Sequence, residues 1–163
     1  MHIDLTEVQK DDLKQLNDLI NEEDIVRYLD YIPPVTLQKT IDFYEFMKFR
    51  NGLWWCIRAD GEMIGSIGII PAAPNTKMSH SGNMFVYITR KFWGRQIGRM
   101  SLEYALAAAG KAGMERIEVL VVDVNSRAVR LYEKHGFVTE GVMRRAFKIE
   151  DNYHDIHFLS LLI

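Results

Sequence analysis

Apolar and polar positions alternate at the start of the chain, so His2 to Val8 reads as a strand. The spacing then turns helical, with Leu13, Leu16 and Ile20 on one stripe behind Asp11 and Asp12. Acidic groups in a first turn complement the positive end of the helix dipole, and a short amphipathic helix is expected there. Asn21 to Asp24 and Pro33-Pro34 break the stripe, and Thr36 caps a second helix through Arg50, whose Leu37, Ile41, Tyr44 and Met47 share a face. Trp54 to Ala59 and Glu62 to Ile70 are β-rich runs joined by Asp60-Gly61, a two-residue hairpin signal. Trp54 and Trp55 point to opposite faces, so at least one is core. A loop from Pro71 to Lys77 leads to a further strand from about His80 through Ile88, which completes an antiparallel meander.

A glycine-punctuated basic turn then opens a helix rich in Ala and Leu, from Arg99 to Gly110. Arg116 to Val124 is an apolar run of the kind buried on both faces of a sheet. Asn125 or Ser126 caps a short helix with Ala128, Leu131 and Tyr132 on its inner stripe, and Gly136 ends it in a left-handed conformation. Two last strands, near Phe137 to Arg144 and Tyr153 to Leu162, flank the polar turn Glu150-Asp151-Asn152. The order is βααβββαβαββ, an α/β (α+β) chain with a mixed sheet of about seven strands and about four helices.

Composition narrows the function classes. At 163 residues and 48% hydrophobic residues the chain is expected to form a single domain, residues 1–163, with one substantial core. A net charge of −2 argues against a nucleic-acid partner held by bulk electrostatics. The single cysteine, Cys56, excludes an internal disulfide and a cysteine zinc site, and its apolar strand suits a buried inert thiol. No stretch is long enough to span a bilayer, so no membrane partner and a cytoplasmic location are expected. His154 and His157 face opposite ways on a strand, and no metal site is expected.

Candidate chemistry centres on the turn. The first amides of a helix lack intrahelical acceptors, and the dipole leaves partial positive charge there, which favours a phosphate. Gly94 and Gly98 allow close backbone approach, and Arg90, Lys91, Arg95 and Arg99 add charge, so a pyrophosphate-bearing ligand is expected. Neither a P-loop nor a dinucleotide fingerprint fits the glycine spacing. The competing reading is an ordinary strand-to-helix turn with surface arginines. Tyr28, Asp30 and Tyr31 could line a pocket for an amine-bearing group or could pack a helix corner.

The element Asn125-x-x-Ala128-x-x-x-Tyr132-x-x-x-Gly136-Phe137, together with Trp93-Gly-Arg-Gln-Ile-Gly98, resembles the GNAT superfamily of acyl-CoA-dependent N-acyltransferases over nearly the whole chain. Ile25-Val-Arg-Tyr28, Glu140-Gly141 and Tyr153-His-Asp155 are similar to the spermidine and ribosomal-protein N-acetyltransferase branch. The turn departs from the family pattern. In the register ending at Gly98, Trp93 stands where Gln or Arg is usual and Gln96 stands where the first glycine is expected. Gln96 still offers its backbone N–H, and binding survives unless that position needs positive φ.

The resemblance implies a GNAT fold whose sheet is splayed between strands 4 and 5. It implies acetyl-CoA as co-substrate, with no metal, and acetyl transfer by direct attack in a ternary complex. The acceptor would be a primary amine: a small molecule such as a polyamine or amino acid, or a protein N-terminus. Backbone groups of Phe85, Val86 and Tyr87 would hold the pantetheine arm and thioester, and the turn Trp93, Gly94, Arg95, Gln96, Ile97, Gly98 and Arg99 would hold the diphosphate. Asn125 matches a coenzyme contact, Tyr132 matches the acid that protonates the departing thiolate, and Tyr28, Asp30 and Tyr31 would face the acceptor.

The base is less defined. The fourth strand has no carboxylate, whereas many relatives carry a glutamate there. Asp123 matches a carboxylate proposed as base in polyamine acetyltransferases, with a solvated strand end or a water chain as the alternatives. Tyr153 and Asp155 share a face that either closes the acceptor side of the cleft or forms a homodimer edge. The missing fourth-strand carboxylate also keeps open a non-catalytic reading, an acyl-CoA-binding sensor or scaffold on the GNAT fold.

Overall fold

A computed structural model describes residues Met1–Ile163, whose seven strands form one sheet in the order β1-β2-β3-β4-β5-β7-β6. The strands are β1 (Ile3–Glu7), β2 (Leu53–Ala59), β3 (Glu62–Pro71), β4 (Ser81–Ile88), β5 (Arg116–Val122), β6 (Val138–Ile149) and β7 (Asn152–Leu162). All neighbours are antiparallel except β4 and β5, whose parallel pairing requires the crossover made by α4 (Ile97–Lys111). The other helices are α1 (Leu13–Ile20), α2 (Glu23–Val26), α3 (Leu37–Phe49) and α5 (Ser126–Lys134). The mixed seven-stranded α/β architecture agrees with expectation. The extra helix is α2, one turn in the segment read as a break.

Local chemistry explains the boundaries. Asp60 and Gly61 take φ of 48° and 87°, both left-handed as a two-residue hairpin of this twist requires. The Thr36 hydroxyl accepts from the Lys39 N–H at 3.4 Å, capping α3. Strand β6 runs to Ile149 rather than Arg144, with its register shifting between Met143 and Phe147. Arg145 there has φ of 53°, and its N–H donates to the Asp155 carboxylate at 2.7 Å, so a residue ten positions away holds the bulge.

Each sheet face has its own core. Nineteen buried residues on one face join β2–β5 to α4, α5 and Phe137, including Trp55, Ile97, Leu102, Ala105 and Tyr132. Nine on the other face pack α1 and α3 over the sheet, including Leu13, Leu16, Tyr44, Met47, Trp54 and Cys56. Adjacent tryptophans therefore anchor opposite cores, as strand alternation demands. Burial pushes the Cys56 thiol up to about 12, which keeps it protonated and unreactive at neutral pH.

Candidate active site

Strands β4 and β5 pair only at Ser81–Asn83 with Arg116–Glu118 and then separate. Each keeps its outer partner: β3 pairs with β4 from Gly82 to Ile88, and β7 pairs with β5 along its whole length. The facing edges of β4 beyond Asn83 and β5 beyond Glu118 thus lack a strand partner, and a ligand bearing amides can hydrogen-bond to them as an added strand. A cavity of about 470 Å³ fills this gap, walled by Asn83–Ile88 of β4, Leu120–Val122 of β5, and the start of α4.

The turn into α4 lies at one end of that cavity, which takes in the whole run Trp93, Gly94, Arg95, Gln96, Ile97, Gly98 and Arg99. The first helical hydrogen bond runs from the Met100 N–H to the Gln96 carbonyl at 3.1 Å, so the Ile97, Gly98 and Arg99 amides precede the ladder. Gln96 has φ of 62°, so the position where a glycine was expected is left-handed and glutamine adopts it all the same. A left-handed non-glycine residue costs roughly 1–2 kcal/mol. Gly94, at φ of 76°, takes its turn without that cost. A Cβ on Gly98 would lie 3.3 Å from Leu131, so the close approach of α5 to the N-terminus of α4 depends on a small residue there.

Formal charge at the turn is distributed unevenly. Arg90 pairs with Asp24 at 3.2 Å, Lys91 with Glu62 at 3.8 Å and Arg99 with Glu103 at 2.8 Å. Arg95 and Arg127 both line the cavity and have no carboxylate partner. Arg127 lies 3.3 Å from the centre of the Trp93 ring, and burial pulls its pKa down, which favours a counter-anion. The Trp93 Nε1–H donates to the Ile88 carbonyl at 2.7 Å. Trp93 thereby pins the turn to the end of β4 and offers its face to Arg127.

Tyr132 and Asn125 line the same cavity. Tyr132 is 4% exposed, with its ring 5.2 Å from that of Phe137. Burial raises its phenol pKa, so it holds its proton at neutral pH. The Asn125 side chain accepts from the Ala128 N–H at 3.3 Å, capping α5 from the cavity wall.

The expected acceptor residues divide. Tyr28 lines the large cavity, while Asp30 and Tyr31 line a second one of about 200 Å³ on the α1/α3 side. Leu29, Asn83, Phe85 and Tyr87 border both, so the cavities meet at β4. The Tyr31 phenol pKa is raised by burial and by the nearby Asp30 charge.

Asp123 lines neither cavity. Its carboxylate receives the Asp155 N–H at 3.2 Å and sits 3.1 Å from His154 Nδ1. Desolvation raises its pKa, but hydrogen bonds from the Asp155 and Val124 backbone and from His154 outweigh this and lower it. These contacts fasten the end of β5 to β7 and make the Asp123 carboxylate a weaker base than a free one. Tyr153 and Asp155 line neither cavity either, Asp155 being committed to the β6 bulge. No group of three or more His, Cys, Asp or Glu side chains is placed to hold a metal ion.

Sequence reasoning missed two features. Arg127 meets Trp93 only through tertiary packing, although an arginine two residues into a capped helix was a visible cue. Asn21, read as a breaker, clamps Val35: its carbonyl accepts from the Val35 N–H at 2.8 Å and its amide donates to the Val35 carbonyl at 2.9 Å. That clamp fixes the loop carrying Asp30 and Tyr31.

Residues 13–137 match the model of the Acetyltransferase (GNAT) family. The chain is 18% identical over 158 residues to the spermidine N(1)-acetyltransferase of Escherichia coli K12, covering 94% of this chain and 82% of the relative. Its fold superposes on spermidine N-acetyltransferase from Vibrio cholerae, solved with CoA and spermine, at a TM-score of 0.85 and 23% identity, over 98% of this chain and 95% of that one. Ribosomal-protein-alanine N-acetyltransferase from Brucella melitensis gives a TM-score of 0.86 at 19% identity over 100% of both chains.

Proposed function

This chain belongs to the acetyltransferase (GNAT) family, and from that premise we propose that it transfers an acetyl group from acetyl-CoA to a primary amine by direct attack in a ternary complex. One observation carries the reading: the unpaired strand edges, the free amides of α4 and the two unpartnered arginines all border one continuous cavity that also holds Tyr132. Coenzyme A has matching parts. Its amide-rich arm suits the β4 edge at Phe85, Val86 and Tyr87, and its diphosphate suits the Ile97–Arg99 amides flanked by Arg95 and Arg127.

In this reading the arm lies between β4 and β5 with the thioester toward Tyr132. Attack by a neutral amine puts negative charge on the thioester oxygen, which a strand-edge N–H can stabilise. Collapse breaks the carbon–sulfur bond, and the Tyr132 O–H gives its proton to the departing thiolate. The phenol fits this role because its surroundings keep it neutral. Among the cavity walls the one carboxylate is Asp24, already paired with Arg90, so the amine loses its proton to water. Asp123 stays outside this step as the fastener of β5.

The test is CoA release, read with a thiol reagent across a panel of primary amines. Release above the hydrolytic background supports transfer. Binding of CoA with no amine-dependent release would instead favour the sensor or scaffold reading, which the lack of a free carboxylate beside the thioester keeps in contention.

A further inference from the structure

The second cavity reports on the acceptor. We infer that it selects a monoamine with an apolar, aromatic-sized body and discriminates against polyamines; this rests on the transfer reaction proposed above. Five aromatic side chains line it: Tyr31, Phe43, Trp54, Phe85 and Tyr87. Phe43 sits edge-on to Trp54 at 5.0 Å between ring centres and edge-on to Phe85 at 5.7 Å. Such walls present ring edges and faces to an apolar guest and offer few partners to a polar one.

Size and charge agree. A cavity of about 150 Å³ holds a benzene ring, so the roughly 200 Å³ here takes an aryl group with a short linker. Asn83, Phe85 and Tyr87 line both cavities, so the cavities adjoin at β4 and a short linker past these residues would carry the amine toward the thioester. The only charged residues on the second cavity's walls are Asp30 and Lys39, which cancel. The large cavity adds Asp24 against Arg95, Arg99 and Arg127. Spermidine carries about three positive charges at neutral pH, since aliphatic amines titrate near 10. With the coenzyme's diphosphate on Arg95 and Arg127, Arg99 paired with Glu103 and Asp24 with Arg90, the polyamine's extra ammonium groups find no carboxylate but Asp30, which Lys39 offsets. Burying them among aromatic walls costs desolvation that a deprotonated monoamine avoids.

The experiment compares kcat/KM for 2-phenylethylamine, ethylamine and spermidine at one pH, together with calorimetric titration of each amine into the CoA-loaded protein. Burying the ring should raise kcat/KM for 2-phenylethylamine about 10- to 100-fold over ethylamine, and it should exceed spermidine at least about tenfold. Phe43→Ala enlarges the box, so the ratio of kcat/KM for 2-(1-naphthyl)ethylamine to that for 2-phenylethylamine should rise. Spermidine or ethylamine performing as well as the aryl amine, with turnover intact, would overturn the inference and leave acetyl transfer standing. No turnover with any amine, but tighter binding of 2-phenylethylamine than of spermidine, would remove the transfer reaction and uphold the selectivity. Loss of both would overturn both.

Discussion

Replacing Gln96 by glycine should stabilise the protein, an unusual outcome for a glycine placed at a helix start. At φ of 62° and ψ of 6° the glutamine occupies a conformation that costs a side-chain-bearing residue roughly 1–2 kcal/mol. Glycine removes that cost but gives up about 0.5–1 kcal/mol of extra chain entropy on folding. The difference spans about 0–1.5 kcal/mol, centred near 0.75 kcal/mol, or a rise in Tm of up to roughly 6 °C for a chain of this length. The Gln96 side chain makes no capping hydrogen bond, so nothing else is lost.

Thermal unfolding by circular dichroism gives the Tm, and calorimetry with CoA gives the Kd. Because the amides of residues 96–99 are retained, affinity should stay within about threefold, less than the tenfold that 1.4 kcal/mol would bring. Gln96→Val is the opposing arm, since a β-branched residue is a true outlier at positive φ and should lower Tm. A lower Tm for Gln96→Gly, or an unchanged one for Gln96→Val, would show that this backbone is not left-handed in solution.

Three further outcomes are expected. Tyr132→Phe keeps the ring against Phe137 but removes the proton donor, so kcat should fall at least about 100-fold while the Kd for acetyl-CoA moves less than about threefold; equal losses would assign the tyrosine to packing. Asp123→Asn weakens the contacts to His154 and Asp155, so Tm should drop with the pH dependence of kcat/KM unchanged, and a displaced limb would make Asp123 the base. Hydrogen bonds from Arg116 and then Ser160 hold Glu140 down at about 2, below its unfolded value near 4.3. Its contribution is therefore present above pH 4.3 and lost as pH falls toward 2, and the Tm gap between wild type and Glu140→Gln should narrow over that range.

Features set by neighbouring residues were legible in the sequence. Runs rich in β-branched and aromatic residues marked β2 and β3, Asp60-Gly61 marked their hairpin, and Thr36 and Asn125 marked the helices they cap. Features set by distant partners were not. The four residues of α2 are too few to display a helical period. The extension of β6 passes through a left-handed arginine whose support comes from Asp155 on the next strand, so alternation fails where pairing continues. Asp123 stood at the position of a base, yet its pKa is lowered first by the backbone N–H of Asp155, which lies 32 residues away, and then by Val124 and His154. Gln96 hid a left-handed turn because the glycine that normally signals one is absent.

Strand β4 does three jobs because a strand has two faces and an edge. Met84, Val86 and Ile88 pack toward the core beneath α4, Phe85 and Tyr87 point to the opposite face, and the free edge borders the gap to β5. Phe85 reaches the second cavity only because Gly68, its partner on β3, has no side chain: a Cβ there would lie 2.5 Å from Phe85 Cζ and 3.0 Å from the Leu53 carbonyl. The carbonyl cannot move without breaking the sheet, so in Gly68→Ala the ring must turn away, at about 1–3 kcal/mol. A displaced ring removes one wall of the aryl box and leaves the α4 amides untouched. Gly68→Ala should therefore raise KM for 2-phenylethylamine several-fold and lower Tm by about 2–12 °C, with the Kd for CoA nearly constant. Unchanged KM together with a lower Tm would mean that the Phe85 ring supports the sheet without touching the acceptor.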